Sequence, residues 1–277
     1  MARHAVLMLL VVVMSWNWGG AAAQVFRPPW NGTFPMGPGG GGAGSVGGGG
    51  AAAAASVPAM FVFGDSLTDN GNNNDMTSLA KANYLPYGID FAGGPTGRFS
   101  NGYTMLSFLG CRCCHRTTTP PATPRSTAFV IAGVGSMACI PNMRARNPAN
   151  MCSPDVDDLI IPFNSKVKSM VNTLNVNLPR AKFIFVDTYA MISEVLRNPW
   201  SYGFSVVDRG CCGIGRNRGM ITCLPFQRPC LNRNTYIFWD AFHPTERVNI
   251  LLGKAAYSGG ADLVHPMNIQ QLAAWQP

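Results

Sequence analysis

Residues 59–67 read Ala-Met-Phe-Val-Phe-Gly-Asp-Ser-Leu, and this stretch decides the fold class. The apolar run from Ala59 to Phe63 ends at Gly64, which is typical of a buried strand followed by a turn. Two later runs, Phe129 to Val134 and Ala181 to Val186, end at Gly135 and Asp187 in the same way. The sequence therefore predicts three buried strands.

A helix is predicted between the second and third strands. Apolar residues recur there at the three-and-four spacing of an amphipathic helix, and Pro162 is expected to kink its first turns. They are Val156, Leu159, Ile160, Phe163, Val167, Met170, Val171 and Leu174. Strand, helix and strand at this spacing form a βαβ unit, so we predict an α/β fold with a helix-covered parallel sheet. Further helices are predicted over Tyr189 to Arg197 and after Pro244, with this proline in the first turn.

Ser66 follows the first strand directly. This position is the carboxyl end of a parallel strand, where open α/β sheets bind their ligands, and a serine there can act as a nucleophile if a base is near. Gly64-Asp65-Ser66 is also a set of turn formers, so by itself the tripeptide is more often structural. The chain has no G-x-S-x-G elbow, and the ordinary α/β-hydrolase signature is therefore absent.

A second polar group lies near the C-terminus in Trp239-Asp240-Ala241-Phe242-His243-Pro244. An aspartate three residues before a histidine can accept a hydrogen bond from Nδ1 while Nε2 faces outward as a general base. Trp239 and Phe242 are expected to fix and partly desolvate this pair. A purely local hydrogen bond in a loop is the alternative, and the hexapeptide alone favours it.

Taken together, these segments resemble the plant GDSL esterase/lipase family, a branch of the SGNH hydrolases. The similar stretches are 61–69 with Gly71-Asn72-Asn73, 83–88, 94–102, 132–135, Cys211-Cys212-Gly213, Pro229-Cys230 and 240–245. They extend over roughly Pro58 to Leu109 and Phe129 to Leu272. The resemblance implies an SGNH-like three-layer α/β fold. It also implies a carboxylic-ester hydrolase with Ser66, Asp240 and His243 as its catalytic triad.

The region between the two similar parts departs from the family. Family members carry a long segment there whose second block contributes a glycine and whose third, Gly-x-Asn-Asp, contributes an asparagine. Here the irregular segment 110–128 replaces it and resembles a splice artefact. The resemblance implies five parallel strands in the order 2-1-3-4-5, so we expect two central strands to be missing. The Ser66 strand must then pair with the Phe129 strand or stay exposed.

The oxyanion hole is expected to be incomplete for the same reason. The resemblance implies three donors, namely the backbone N–H of Ser66, the glycine N–H and the asparagine amide, and only the first is present. Two hypotheses follow. The chain is either a serine esterase or a catalytically impaired secreted remnant that acts as a binding protein.

The irregular segment also raises the question of a cofactor. Cys111-Arg112-Cys113-Cys114-His115 satisfies the C-x-x-C-H pattern of haem attachment and places four potential metal ligands within five residues. No apolar sequence beside it could supply a haem pocket, and the adjoining Thr and Pro residues favour exposure. We therefore predict neither a cofactor nor a metal.

The N-terminus predicts secretion. Residues 1–23 have the charged, apolar and small-residue order of a signal peptide, and 24–57 form a Pro/Gly/Ala-rich leader expected to be flexible before a hydrolase domain at 58–277. Asn31-Gly32-Thr33 is a glycosylation sequon. No later apolar stretch is long enough to span a bilayer, so stable membrane insertion is not expected.

Cysteine content agrees with an extracellular location. The chain has nine cysteines, so at least one thiol is unpaired within it. Connectivity does not follow from sequence. From the similarity of the surrounding segments we expect Cys139 to bond Cys152 and the group from Cys211 to Cys230 to bridge internally.

The net charge of +8 would favour polyanions at low ionic strength. The basic residues of the chain are scattered and no nucleic-acid motif accompanies them. We therefore predict a solvated basic surface and no nucleic-acid partner. The expected substrate is a small-molecule, lipid or polysaccharide ester.

Overall fold

The computed structural model describes residues 24–26, 59–109 and 127–275. Its strands are β1 (Gln24–Phe26), β2 (Ala59–Phe63), β3 (Thr127–Ala132), β4 (Ala181–Val186), β5 (Val206–Gly210), β6 (Tyr236–Phe238) and β7 (Val264–His265). Its α-helices are α1 (Met105–Phe108), α2 (Pro141–Arg146), α3 (Pro154–Asn177), α4 (Thr188–Arg197), α5 (Glu246–Ser258) and α6 (Ile269–Ala273). Short 3₁₀ helices span Pro199–Tyr202, Arg216–Arg218 and Arg233–Thr235. This mixed α/β content confirms the predicted fold class.

The main sheet has the order β1-β2-β3-β4-β7. Its three central strands, β2, β3 and β4, are parallel, whereas β1 and β7 pair antiparallel at the two edges. The register aligns Phe61 with Phe129 and Phe129 with Phe183. Their rings stack across the sheet with centroids 5.4 Å and 4.5 Å apart. The mainly parallel sheet predicted from three apolar runs is thus confirmed.

Alternation along the strands gives the sheet two buried faces. The phenylalanine face packs against the second half of α3 through Val167, Val171 and Leu174. The opposite face packs against α1, α4 and α5. Its strand residues are Val62, Val130, Ile184 and Val186, and the helix residues in the same cluster include Leu106, Ile192, Val248 and Leu252. Helices therefore cover the sheet on both sides, in three layers.

β2 pairs directly with β3 through five register positions, so no strand lies between them. This is the expected pairing of the Ser66 strand with the Phe129 strand. Its other edge is paired with β1, which lies inside the segment predicted to be a flexible leader. That prediction is wrong for Gln24–Phe26, because an unpaired strand edge leaves backbone donors and acceptors that a short β-forming segment can satisfy. The rest of 24–57, including Asn31, lies outside the described residues, as does the predicted signal peptide.

Several predicted boundaries need correction. β3 begins two residues before Phe129 and ends at Ala132, because Thr127 and Ala128 continue the ladder opposite Ala59 and Met60. The irregular segment is therefore shorter than 110–128, and its remainder, with Cys111 to His115, lies outside the described residues.

The helices also differ in detail from the prediction. α3 continues through Pro162 to Asn177, and Met170, predicted on its buried face, is exposed. Pro244 precedes the N-cap Thr245 instead of entering the first turn of α5. Among the helices described, none is both long and apolar enough to cross a bilayer.

Three disulfides lie in the described residues. Cys139 bonds Cys152, as predicted, and Cys211–Cys230 with Cys212–Cys223 bridge the second group internally, also as predicted. We call residues 211–230 the disulfide hairpin. Both of its crosslinks lie within the hairpin and hold its two ends together.

Two asparagines of α3 fasten this helix to the sheet. The side chain of Asn164 accepts from Val134 N and donates to Val134 O, at 2.9 and 2.8 Å. The side chain of Asn175 makes the same pair of bonds with Phe183, at 2.9 and 2.8 Å. Asn164 is 6% exposed, whereas Asn175 is half-buried.

We expect Asn164→Ala to lower the free energy of unfolding by about 2 to 4 kcal/mol, because the Asn164 side chain is buried and its removal leaves the Val134 N–H and C=O without these partners. Asn175→Ala is the matched control and should cost about 1 kcal/mol, since the half-buried Asn175 side chain leaves a place that water can reach. Urea unfolding of both variants measures the difference. Equal losses would show that burial of the asparagine side chain does not set the cost.

Candidate active site

Ser66 lies in a tight turn at the carboxyl end of β2. The turn is closed by Thr68, whose N–H and hydroxyl both donate to Asp65 O, at 3.0 and 2.9 Å. The Asp65 carboxylate accepts from Leu67 N at 2.9 Å. A Cβ at Gly64 would lie 2.8 Å from the Thr68 side chain, so glycine is needed for this close approach.

Asp240 and His243 lie in a second turn, which follows β6. Trp239 N donates to His243 O at 2.8 Å and closes the turn. Asp240 Oδ1 accepts from the backbone N–H groups of Phe242 and His243, at 2.8 and 2.7 Å. The carboxylate therefore folds back over its own turn, which is how the three-residue spacing brings the two side chains together.

The structure brings all three predicted site residues into contact. His243 Nε2 lies 2.8 Å from Ser66 Oγ, although the two residues are separated by 177 positions. His243 Nδ1 lies 2.9 Å from each carboxylate oxygen of Asp240. Serine, histidine and aspartate are thus joined in one chain of hydrogen bonds, with the histidine between the other two.

The Asp240 carboxylate is fully buried and has partners that the sequence did not indicate. Its Oδ2 accepts from the Tyr87 hydroxyl at 2.5 Å and the Thr222 hydroxyl at 3.0 Å. Burial raises the pKa of Asp240, but the charge and hydrogen bonds of His243, with those of Tyr87 and Phe242 N, outweigh it and hold the pKa below its usual range. The carboxylate is therefore ionised.

Aromatic side chains enclose the histidine. Phe99 packs on the His243 ring at a centroid distance of 4.8 Å, and Phe242 lies edge-on at 6.1 Å. His243 is 9% exposed. Trp239 was expected to flank the Asp–His pair, but its ring contacts Tyr87 at 6.1 Å. Sequence reasoning missed Tyr87, Thr222 and Phe99 as site residues, since they lie 18 to 153 positions along the chain from the residue they contact and no local pattern marks them.

The backbone N–H of Ser66 is a candidate donor to the oxyanion. No acceptor for the Ser66 N–H is recorded within the described residues, so this group is available to a substrate oxygen. The buried asparagines among the described residues already make side-chain hydrogen bonds within the protein. Asn73, Asn101, Asn142, Asn164 and Asn249 each donate a side-chain amide hydrogen to a protein oxygen, and Asn70 accepts from Thr104.

Fold and site together define the class. A serine at the carboxyl end of a parallel strand, hydrogen-bonded to a histidine held by a buried carboxylate, is the arrangement of serine hydrolases.

Comparisons with known proteins identify the family within that class. Residues 121–256, which contain Asp240 and His243 but not Ser66, match the family described as GDSL-like Lipase/Acylhydrolase. Three GDSL esterase/lipases of Arabidopsis thaliana are 37%, 33% and 34% identical to this chain. The alignments include 79%, 78% and 79% of this chain and 86%, 89% and 92% of the relatives. The chain belongs to the GDSL esterase/lipase family and is an ester-bond hydrolase by membership.

The alignments are longer than the part of this chain that they contain. The first extends over 330 residues, whereas 79% of 277 residues is about 219. Roughly 110 aligned residues of that relative therefore have no counterpart here.

The Asp240 pKa predicts how stability depends on pH. A carboxyl whose folded-state pKa lies below its unfolded value of about 3.9 contributes stability that is full above that value and disappears as pH falls through the folded-state pKa. Asp240→Asn cannot ionise and should be less stable than wild type at neutral pH. The difference in free energy of unfolding should shrink on acidification below about pH 4. Urea unfolding at several pH values measures it, and a constant difference would contradict the assignment.

Proposed function

We propose that this chain is a secreted serine esterase in which Ser66, His243 and Asp240 form the catalytic triad. The observation that carries the proposal is the 2.8 Å contact between His243 Nε2 and Ser66 Oγ, with Nδ1 held by a buried carboxylate. A neutral imidazole held in this way has its Nε2 lone pair directed at the serine proton, as a general base requires.

The reaction follows a ping-pong course. Ser66 Oγ attacks the ester carbonyl while His243 Nε2 takes its proton, and the ionised Asp240 stabilises the imidazolium that forms. The imidazolium then gives this proton to the departing alkoxide, which leaves as the alcohol and forms the acyl-enzyme. Water, deprotonated by His243, attacks the acyl carbonyl and releases the carboxylic acid and free Ser66.

We further propose that the oxyanion hole is incomplete and that the chain is a poor catalyst. Three observations support this proposal. β2 adjoins β3 directly, the buried asparagine amides donate within the protein, and roughly 110 residues of an aligned relative lack a counterpart here. The same observations favour the second candidate, a secreted remnant that keeps the fold and binds ligands without turnover.

Secretion is part of the proposal. The predicted signal peptide at 1–23 and the sequon at Asn31 support it, and the three disulfides are of the kind that persist in oxidising compartments. Acyl or acetyl esters of small molecules, lipids or wall polysaccharides are the proposed substrates.

We expect Ser66→Ala and His243→Ala each to lower turnover of a p-nitrophenyl ester by at least about a thousandfold, because nucleophile and base act as one unit. Asp240→Ala should be milder. Labelling with a fluorophosphonate probe should disappear in Ser66→Ala. If folded wild-type protein is neither labelled nor active, the remnant is favoured. Full activity of purified Ser66→Ala would refute the triad.

We expect a version with a family-type segment in place of 110–126 to be at least about 10²- to 10³-fold faster than the present chain, because one oxyanion donor is worth that much in turnover and this segment restores two. The measurement compares p-nitrophenyl acetate hydrolysis by both proteins after their folding is checked by circular dichroism. Comparable turnover would show that the missing donors are unnecessary.

A further inference from the structure

Tyr87 donates its hydroxyl hydrogen to Asp240 Oδ2 at 2.5 Å, in a site where the carboxylate is fully buried. We propose that Tyr87 is a positioning residue of the esterase reaction, which together with Thr222 fixes the Asp240 carboxylate under His243. This inference rests on the proposed function, since it concerns the same triad. Neither residue touches Ser66 or the imidazole ring through a recorded hydrogen bond, so both act through Asp240.

The two oxygens of Asp240 are held by different parts of the chain. Both backbone donors to Oδ1, Phe242 N and His243 N, belong to its own turn. Oδ2 is fixed by Tyr87 and Thr222, whose hydroxyls also lie 2.9 Å from each other. With both oxygens anchored, Nδ1 lies at equal distances of 2.9 Å from them.

Tyr87 is itself held rigidly. It is 1% exposed, and its ring packs edge-on against Tyr84, Phe99 and Trp239 at centroid distances between 5.3 and 6.2 Å. A hydroxyl on a ring enclosed in this way has one position, which suits a group that aims another side chain.

Thr222 is held by the disulfide hairpin. It precedes Cys223, which is bonded to Cys212, and Cys212 N donates to Trp239 O at 2.7 Å, one residue before Asp240. The hairpin therefore joins the Asp240 turn at two points, through the backbone of residue 212 and through the Thr222 hydroxyl.

Tyr84 offers a matched control from the same loop. Its hydroxyl donates to Cys223 O at 2.9 Å, on the same hairpin and next to Thr222, but it does not bond the carboxylate. Tyr84→Phe and Tyr87→Phe each remove one hydroxyl that joins the loop to its surroundings. Only the second change removes a donor from Asp240.

The expected consequence of Tyr87→Phe follows from charge. Without the Tyr87 donor, the negative charge of Asp240 is less dispersed and stabilises the protonated imidazolium more strongly. The acid limb of the pH profile should then move to higher pH. Asp65, which interacts electrostatically with His243, and Tyr84, which interacts with Asp240, are unchanged in this variant.

The test compares wild type, Tyr84→Phe and Tyr87→Phe in the full secreted chain. Tyr87→Phe should lower kcat for p-nitrophenyl acetate about tenfold with KM unchanged, and should move the acid limb to higher pH. Tyr84→Phe should change neither kcat nor the limb. Equal effects of the two variants, or an unmoved limb in Tyr87→Phe, would reduce Tyr87 to a structural role and overturn the proposal.

A second readout keeps the proposal testable if the wild type proves inactive. The NMR titration of the His243 ring, assigned by the signals lost in His243→Gln, should have its midpoint at higher pH in Tyr87→Phe than in wild type. The midpoint in Tyr84→Phe should match wild type. If the wild type is inactive but the midpoint shifts in Tyr87→Phe, the proposed esterase function is refuted and the proposed role of Tyr87 is supported. If the midpoint does not shift, Tyr87 has no effect on the Asp–His pair and the proposal for Tyr87 is overturned.

Discussion

An ionised carboxylate with no exposure to water needs donors from the protein, because burial of an unpaired charge is among the largest costs a fold can carry. Asp240 obtains them from several parts of the chain: two backbone N–H groups of its own turn, the hydroxyls of Tyr87 and Thr222, and the imidazole of His243. The loop at 84–87, the disulfide hairpin and the turn after β6 therefore have to meet at one point. Their meeting fixes the ring that faces Ser66.

The sheet supplies the other half of the site. Parallel pairing of β2 with β3 and of β3 with β4 places Ser66 at the carboxyl edge. The stacked rings of Phe61, Phe129 and Phe183 stabilise this pairing on one face, and α3 covers them. Within the described residues, β2 pairs on its other side with the short antiparallel β1. The strand that carries the proposed nucleophile thus lies next to the edge of the sheet, where a central strand is implied by resemblance to the family.

Local patterns in the sequence were sufficient for much of this arrangement. Three apolar runs predicted the parallel strands, and the spacing of Asp240 and His243 predicted a turn in which their side chains meet. The Cys139–Cys152 bond was expected from the resemblance to the family, and the structure confirms it. β1 was not, because three residues in a low-complexity stretch acquire a strand conformation only through the edge they cover. Tyr87 and Thr222 were missed because their contact with Asp240 depends on tertiary packing and on a disulfide partner that sequence does not reveal.

The central claim is that a complete triad is combined with a single donor for the oxyanion. A crystal structure of the protein after reaction with a p-nitrophenyl phosphonate tests it most directly, since the phosphonyl oxygen occupies the position of the oxyanion. The account predicts a covalent bond from Ser66 Oγ to phosphorus, His243 Nε2 within hydrogen-bond distance, and the Ser66 N–H as the one protein donor to the phosphonyl oxygen. An adduct whose phosphonyl oxygen accepts from two or more protein donors, or an adduct on another residue, would contradict it.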